Sequence, residues 1–476
     1  MRGRKMNLTR YACFGVLMVL ILTGCQATPN QDVIANKNDQ QVSQSESGTS
    51  IEESNSVEES ADDGTVVSEA ISETFSSDDG NVTISVQTDA VKVHSVPIVQ
   101  TEAKDISVDD VKRWAKAFYG TEDVYEATKQ MTKSEIEEAI LWRQQKINDR
   151  ESLIEEGYSE ADADTMIEYY KEQIESLKAS YQKAPDDDER KKTDWAFHPL
   201  SYYDDDSMEN DRDTSNADKT QALKVQGESD GQKAYVSASN RETADYQLHS
   251  LMFYWNDEDE GWIDGATPYV NQEEAIQITD EKLKALVDGN WKVNTVWSSS
   301  NQWHIQYIPV INELPCLYSD INYTSDDAYA ANLEYGQINF TLTDDKIVAV
   351  EWESPMEITS TDSQPAEMLP FDDIYTAFKN YMQVKCTMTS LGMASDDEME
   401  DETTAETEKV CANVNDIRQM YCRVKVKNSD QAFEYVPVYV FSGYASQGDY
   451  KEDWWVNHFC VVNATDGTII NTWLGY

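Results

Sequence analysis

The chain has 476 residues, with 38 Lys and Arg against 89 Asp and Glu, so its formal net charge is −51. A surface this acidic repels phosphate backbones and anionic lipid headgroups, which excludes nucleic-acid binding as a function.

The first 24 residues have the pattern of a secretory signal peptide. Residues 1–10 contain four basic residues and no acidic one, and an apolar run follows from Tyr11 to Leu22. That run is shorter than the roughly 20 apolar residues needed to span a membrane. A basic start followed by a short apolar core predicts export.

The end of this segment, Leu22-Thr23-Gly24-Cys25, resembles a bacterial lipobox. The resemblance implies cleavage before Cys25 and diacylation of its thiol, with palmitate as a typical acyl chain. Two acyl chains anchor a protein more firmly than one. We therefore expect membrane lipid to hold the protein through acylated Cys25 on the extracytoplasmic face of the cell membrane. The alternative is an ordinary signal peptide with an incidental cysteine.

Residues 25–80 are predicted to be an acidic, disordered tether because they contain almost no aromatic residue to bury. From residue 81 apolar and polar residues alternate, which predicts a first strand around Val82, Ile84 and Val86. We assign 81–268 to a helical hairpin and a small antiparallel sheet.

Helical signals fill residues 107–183. Ser107 is placed to cap a short helix that ends near Gly120, and Thr132 with Glu135 forms a capping box. Two apolar stripes then recur at helical spacing on either side of Gly157, before Pro185: Ile136, Ile140, Ile147 and Ile154, then Ile167, Tyr170, Ile174, Leu177 and Tyr181. They predict an antiparallel hairpin, which either packs against the rest of the protein or protrudes to bind a partner.

Three strand-like runs follow, at Ala222–Gly227, Lys233–Ser239 and Tyr246–Trp255, with a hairpin turn predicted at Ser229-Asp230-Gly231. The sequence leaves open whether they form their own sheet or extend the next one.

From residue 269 onward the sequence predicts two repeats, each a helix followed by four antiparallel strands, over 269–360 and 361–476. Tyr307-Ile308-Pro309-Val310 matches Tyr435-Val436-Pro437-Val438, and Asp345, Val348 and Trp352 match Asp466, Ile469 and Trp473. The fold class predicted for the whole chain is α+β.

The helix, the meander and the closing turn Val461-Val462-Asn463-Ala464-Thr465-Asp466-Gly467-Thr468 are similar to PepSY-type domains. They also resemble the tethered accessory regulators of the cell-wall histidine kinase in Gram-positive bacteria. The overall layout resembles a group of clostridial-type lipoproteins of unknown function. These resemblances imply binding, peptidase inhibition or kinase regulation at the cell surface. The lipobox differs from the single membrane span of those regulators, and no functional residue carries over from them.

Five cysteines remain after Cys13 and Cys25: Cys316, Cys386, Cys411, Cys422 and Cys460. Because five is odd, at least one thiol is free or intermolecular. Cys386 with Cys411 and Cys422 with Cys460 are both open as disulfides, and all five thiols reduced is a third option. No CxxC motif supports a thiolate zinc site.

The sequence predicts no catalytic, cofactor-binding or metal-binding residue. The one site residue that it predicts is Cys25, as the site of lipidation. The five histidines lie outside known hydrolase motifs: His94, His198, His249, His304 and His458. Five tryptophans could either pack in the core or line a groove for a carbohydrate or peptide, and we expect core packing: Trp303, Trp352, Trp454, Trp455 and Trp473. Ser395–Glu408 is expected to be a solvated acidic loop.

We therefore predict a lipid-anchored extracytoplasmic binding or regulatory protein that is not an enzyme and needs no cofactor. Its expected partners are the membrane lipid and a surface protein or peptide. The alternatives are a cell-wall hydrolase that uses carboxylates and a solute-binding lipoprotein.

Overall fold

The computed structural model describes residues 65–127, 131–155, 160–186, 190–203, 220–242, 247–255, 268–299, 301–319, 335–387, 410–426, 432–447 and 454–472. The predicted signal peptide, Cys25, most of the predicted tether and Ser395–Glu408 lie outside these residues. Within them, no helix combines the length and apolar character needed to cross a membrane.

The structure is α+β and mostly sheet. Its helices are α1 (Val108–Tyr119), α2 (Lys133–Asn148), α3 (Arg150–Glu155), α4 (Glu160–Tyr181), α5 (Gln272–Leu286) and α6 (Phe371–Lys385), with a 3-10 helix at Leu200–Tyr203. The strands up to the middle of the chain are β1 (Thr65–Ser68), β2 (Ile71–Ser76), β3 (Val82–Thr88), β4 (Val91–Val93), β5 (Val99–Ala103), β6 (Tyr125–Glu126), β7 (His198–Pro199), β8 (Gln221–Ser229), β9 (Gln232–Glu242) and β10 (Gln247–Trp255).

The later strands are β11 (Asn290–Ser299), β12 (Gln302–Ile311), β13 (Leu314–Pro315), β14 (Gln337–Thr343), β15 (Lys346–Glu353), β16 (Met356–Thr361), β17 (Val410–Lys425), β18 (Phe433–Gln447) and β19 (Trp454–Asn463).

The chain divides into two compact units. The central unit takes Glu102–Ile311 and Glu334–Glu357, and the terminal unit takes the residues up to Thr101, Asn312–Leu333 and Ile358 onward.

Local capping signals explain where the helices begin. Ser107 caps α1 through a capping box with Asp110, and Gly120 ends that helix with φ of 70°. Thr132 and Glu135 cap α2 in the same reciprocal way. Each cap satisfies backbone N–H groups that have no partner inside the helix. Both predicted starts are therefore confirmed.

Helices α2, α3 and α4 form the predicted hairpin. Its small core contains Leu153, Ala163 and Tyr170, with Ile147 and Ile167 packed against them. Ile154, which the stripe predicted to be buried, is 37% exposed instead. The helix breaks at Asp149, where φ is −118° and ψ is 70°, and this break shifts the phase so that Leu153 turns inward.

The sheet of the central unit runs in the order β11-β12-β14-β15-β10-β9-β8-β6, and β7 also pairs with β8. Strands β8 and β9 meet at a two-residue turn in which Asp230 and Gly231 both have positive φ, as the sequence predicted. Strand β10 pairs with β15, so the run at 219–256 extends the following sheet rather than forming its own.

One face of this sheet carries the main core of the central unit, against α1 and α5. Phe118 of α1 stacks on Phe253 of β10 with 3.6 Å between the ring centroids. Trp114, Leu286 and Ile305 are buried in the same cluster. Alternation along each strand therefore sends the remaining side chains to the opposite face.

The terminal unit contains a sheet in the order β16-β5-β18-β17-β3-β2, with β19 also paired to β18. Strands β3 and β17 are parallel, whereas the other pairs of this sheet for which a register is resolved are antiparallel. Helix α6 packs on the sheet, where Phe378 stacks on Phe441 at 4.0 Å.

Three sequence predictions differ from the structure of this unit. The predicted tether reached residue 80, whereas β1 and β2 lie within it; Phe75, its one aromatic residue, packs edge-on against Phe378 at 6.4 Å. The predicted first strand joins the C-terminal sheet rather than the hairpin region. The predicted last strand is represented only by a bridge between Val462 and Ile469, and Trp473 lies outside the described residues.

Candidate functional site

The helical hairpin carries a trio of aromatic side chains. Trp142 of α2 packs edge-on against Tyr170 of α4 with 5.5 Å between the ring centroids, and Tyr169 lies 6.3 Å from Tyr170. Tyr170 is buried, whereas Trp142 is 40% exposed and Tyr169 is 50% exposed. The buried ring therefore holds two large aromatic side chains at the surface.

Basic side chains flank the aromatic trio. The Arg143 guanidinium and the Lys146 ammonium lie 5.5 and 5.6 Å from the centre of the Trp142 ring. Arg143 also donates to the Gln173 side chain at 2.6 Å, which ties α2 to α4 beside the trio. Aromatic residues and arginine are enriched at protein interfaces, and a rigid aromatic surface is suited to such contact.

One carboxylate, that of Glu135, fixes the base of the hairpin. It accepts a hydrogen bond from the backbone N–H of Thr132 at 2.7 Å and forms ion pairs with Arg190 at 2.6 Å and Lys233 at 2.7 Å. Burial opposes the charge, but these hydrogen bonds and the two cations hold the pKa of Glu135 below its usual value. Since Lys233 belongs to β9, this carboxylate attaches the hairpin to the central sheet.

A second polar cluster surrounds the 3-10 helix. Lys191 pairs with the buried carboxylate of Glu126 at 2.6 Å and donates to the hydroxyl of Tyr202. Both hydrogen bonds raise the pKa of Lys191, so this amine stays protonated and is not available as a base. His198 stacks on Tyr202 at 4.2 Å and lies 3.2 Å from the Asp194 carboxylate.

The sequence did not predict this cluster because its members come from segments with no shared motif. His198 was assigned no function, and Glu126, Lys191 and Tyr202 were not singled out. Positive and negative groups are paired within the cluster, which favours a structural role beside the base of the hairpin.

His458 of β19 is half-buried and lies beside two buried hydroxyl groups. Its Nε2 lies 3.0 Å from Oγ1 of Thr472, which in turn lies 3.1 Å from Oγ of Ser319. Burial lowers the pKa of His458 to about 4, so the imidazole is neutral at pH 7. Ser319 and Thr472 are both buried, so neither hydroxyl is presented to solvent as a nucleophile.

All five described cysteines are free thiols. The Cys386–Cys411 pairing is disfavoured by strand alternation. Cys386 lies in the core under α6 together with Val410 and Ala412, whereas Cys411 lies on the opposite face, where it contacts Asn413.

The Cys422–Cys460 pairing is disfavoured by distance. These cysteines are opposite Val436 and Phe441 of β18. Five positions along a strand correspond to about 16 Å, well beyond the reach of a disulfide.

The predicted tryptophans do not form a groove in the described part of the structure. Trp352 is buried in the core of the central unit, and half-buried Trp303 donates its indole N–H to the Val270 carbonyl at 2.9 Å. The side chains of Trp454 and Trp455 and the whole of Trp473 lie outside what the structure describes. Among the described residues, no group of three or more His, Cys, Asp or Glu side chains is arranged to hold a metal ion.

Comparisons with known proteins give only remote likenesses. No known protein family and no curated protein matches the chain. An uncharacterized protein from Eubacterium rectale is similar over 82% of this chain and 91% of its own, at 10% identity and a TM-score of 0.37. The YpeB C-terminal domain from Bacillus megaterium is similar over 56% of this chain and 91% of its own, at 9% identity and a TM-score of 0.24. Likenesses this remote carry no functional conclusion.

Proposed function

We propose that the protein is a lipid-anchored extracytoplasmic binding protein, without catalytic activity, that binds a cell-surface protein through its helical hairpin. The observation that carries this proposal is the aromatic trio, because Trp142 and Tyr169 are large, exposed and held in place by buried Tyr170. Rigid aromatic side chains of this kind supply much of the binding free energy at protein interfaces.

The charge of the chain favours a partner other than a second copy. A net charge of −51 makes two copies repel each other. The basic groups beside Trp142 would repel a basic surface, so they favour a partner whose contacting surface is not basic. We therefore infer a heterologous protein partner. Membrane lipid on Cys25 would keep the hairpin at the cell surface, where such a partner is met.

We further propose that the two helix-and-strand stretches are a repeat of the PepSY type. Tyr307 of β12 and Tyr435 of β18 are both buried, and each lies two residues before a proline within a strand. Helices α5 and α6 precede these strands in the two stretches. No described cluster favours the alternatives of a cell-wall hydrolase or a solute-binding lipoprotein.

The interface is tested by photo-crosslinking in cells that express the full chain. A photoreactive amino acid at position 142 or 169 should give the same discrete adduct with a second protein. The matched control is position 178, an exposed lysine on the same α4 helix as Tyr169. Equal adducts at all three positions, or none at 142 and 169, would contradict the proposed interface.

The affinity of the captured partner gives a second readout. Trp142→Ala should weaken binding at least about tenfold, the effect expected of a central aromatic side chain. Lys178→Ala should leave the dissociation constant unchanged. Equal affinities for the Trp142→Ala variant and the unaltered protein would remove the hairpin from the interface.

The anchor is tested separately. Cys25→Ser should block incorporation of an alkyne-labelled palmitate and shift the protein from the membrane fraction to the medium. Continued labelling of the Cys25→Ser variant would show that acylation occurs elsewhere.

A further inference from the structure

The central sheet has a second face, away from α1 and α5, that we call the outer face. Its residues alternate with the core residues: Tyr254 lies between buried Phe253 and Trp255, and Thr341 lies between buried Phe340 and Leu342. The hairpin reaches this side at the sheet margin, through the ion pair of Glu135 with Lys233.

A single row of side chains crosses six neighbouring strands of the outer face. Each member is opposite the next in the strand register, in the order Tyr235, Tyr254, Ala349, Thr341, His304 and Trp297. Residues opposite each other on adjacent strands share a face and lie within contact distance. The row is therefore continuous from β9 to the edge strand β11.

Aromatic rings occupy both ends of this row and lie parallel in pairs. Tyr235 and Tyr254 are stacked with centroids 5.3 Å apart and an interplanar angle of 25°. Trp297 and His304 are stacked at 3.8 Å and 13°, and Thr341 contacts His304 at 3.3 Å. Trp297 is 54% exposed, and the other members are half-buried.

Small side chains separate the two aromatic pairs. Three strand spacings lie between Tyr254 and His304, which corresponds to about 14 Å. Ala349 and Thr341 occupy the two intervening positions, so the row dips between the pairs. An extended ligand laid across the strands can contact both aromatic pairs.

The neighbouring row supplies amide groups at fixed positions. Gln306 accepts from Asn294 at 2.6 Å and donates to Gln337 at 2.5 Å, while Asn339 is opposite both Gln306 and Glu351. Charged groups of both signs occur on this face. Glu351 and Glu353 are acidic. Lys224 continues the Glu351 row on β8, and the Lys233 ammonium lies 5.3 Å from the centre of the Tyr235 ring. The face therefore combines aromatic rings with amides and with charges of both signs, which suits a ligand without net charge.

We propose that the outer face of the central sheet binds a neutral glycan chain that lies across the strands between the two aromatic pairs. Sugar rings present apolar C–H faces that pack on aromatic rings, and their hydroxyls hydrogen-bond to amides and carboxylates. The row from β9 to β12 lies on fully paired strands, which have no free backbone edge for an extended peptide to join. This site is separate from the proposed interface on the hairpin.

The experiment is isothermal titration calorimetry of the full mature chain with neutral hexasaccharides built on N-acetylglucosamine, glucose and mannose. At least one should bind, and Trp297→Ala and Tyr254→Ala should each weaken its binding about tenfold, the equivalent of one lost aromatic contact. Trp297→Phe should retain most of the affinity, since a ring remains at that position. Tyr269→Ala removes an aromatic side chain that is 82% exposed and lies outside the row, so it is the matched control and should bind normally.

Two results would overturn the proposal. One is the absence of binding by every neutral hexasaccharide at millimolar concentration. The other is a hexasaccharide affinity that Trp297→Ala and Trp297→Phe both leave unchanged. Hexalysine is titrated alongside, and binding by hexalysine alone would identify the face as a site for cationic peptides and reject the glycan assignment. The hairpin crosslinks are independent of all these outcomes.

Discussion

The Glu135 carboxylate makes three structural contacts: it caps α2, and it forms ion pairs with Arg190 and Lys233. The sequence predicted only the cap, because the capping box is local. The two ion pairs needed the fold, since Lys233 is on a strand that follows much later in the chain. Local hydrogen bonds are thus readable from sequence, whereas long-range pairs are not.

Glu135→Gln should destabilise the central unit by about 2 kcal/mol, the range for losing hydrogen bonds to a charged group. Because folding lowers the pKa of Glu135, its contribution is present above the unfolded pKa and is lost as pH falls below it. Urea unfolding at pH 7 and pH 3.5 measures this. Exposed Glu138→Gln is the control and should match the unaltered protein; a similar loss in both variants would contradict the role of Glu135.

His458 should make stability fall as the solution is acidified. Burial lowers its pKa to about 4, so below the ordinary value of 6.5 the unfolded chain binds a proton that the folded chain excludes. The loss should develop between about pH 6.5 and pH 4 and reach on the order of 3 kcal/mol. The His458→Gln variant should lose that part of the pH dependence. An unchanged slope in this variant would show that His458 is not the titrating group.

At the scale of elements, the sequence predicted the helix caps and the hairpin turn well. It predicted less well which side chains lie on the exposed face of each helix or strand. The stripe through Tyr170 and Ile174 is buried as expected, because helical spacing alone determines it. Trp142 and Tyr169 lie beside that stripe, so periodicity gave no reason to single them out. The outer-face row depends on the register of six strands, which no single stretch of sequence specifies.

Gly443 tests the packing of the long strands β17 and β18. A Cβ at this position would lie 1.9 Å from the backbone oxygen of Asn413, next to a register shift in both strands. Gly443→Ala should therefore force the backbones apart and cost about 3 kcal/mol or more. Thermal unfolding measures the loss.

The matched control for Gly443 is Gly80→Ala. Gly80 has φ of 72° and no atom within 4 Å of an added Cβ, so only the conformational cost of about 1 kcal/mol applies. Equal losses in the two variants would mean that close approach of the strands is not what requires Gly443.

At the scale of the whole molecule, the order of helix and strand signals predicted the α+β class, and composition predicted the acidic charge, but neither predicted the division into units. The sequence suggested consecutive domains, whereas each unit is assembled from separated stretches of chain. The N-terminal strands were assigned to a tether or to the hairpin region because short polar strands such as β2 become stable only when paired with β3. Their partners could not be identified by local pattern.

The net charge of −51 should make stability depend on salt. Like charges repel more strongly in the compact state, and salt screens that repulsion over about 10 Å at 0.1 M. Raising sodium chloride from 20 to 200 mM should increase Tm by about 2–4 °C, if about 1 kcal/mol is recovered. Differential scanning calorimetry measures the change, and a falling Tm would show that attractive ion pairs dominate instead.

The parallel pairing of β3 with β17 has a consequence for timing. A chain that leaves the ribosome or a secretion channel from its N-terminus delivers β3 long before β17. Until then the apolar side of β3, with Val82, Ile84 and Val86, has no finished core to enter. Long-range pairing of this kind slows folding and leaves an unpaired strand edge open to aggregation. We therefore expect the terminal unit to complete its folding after the central unit.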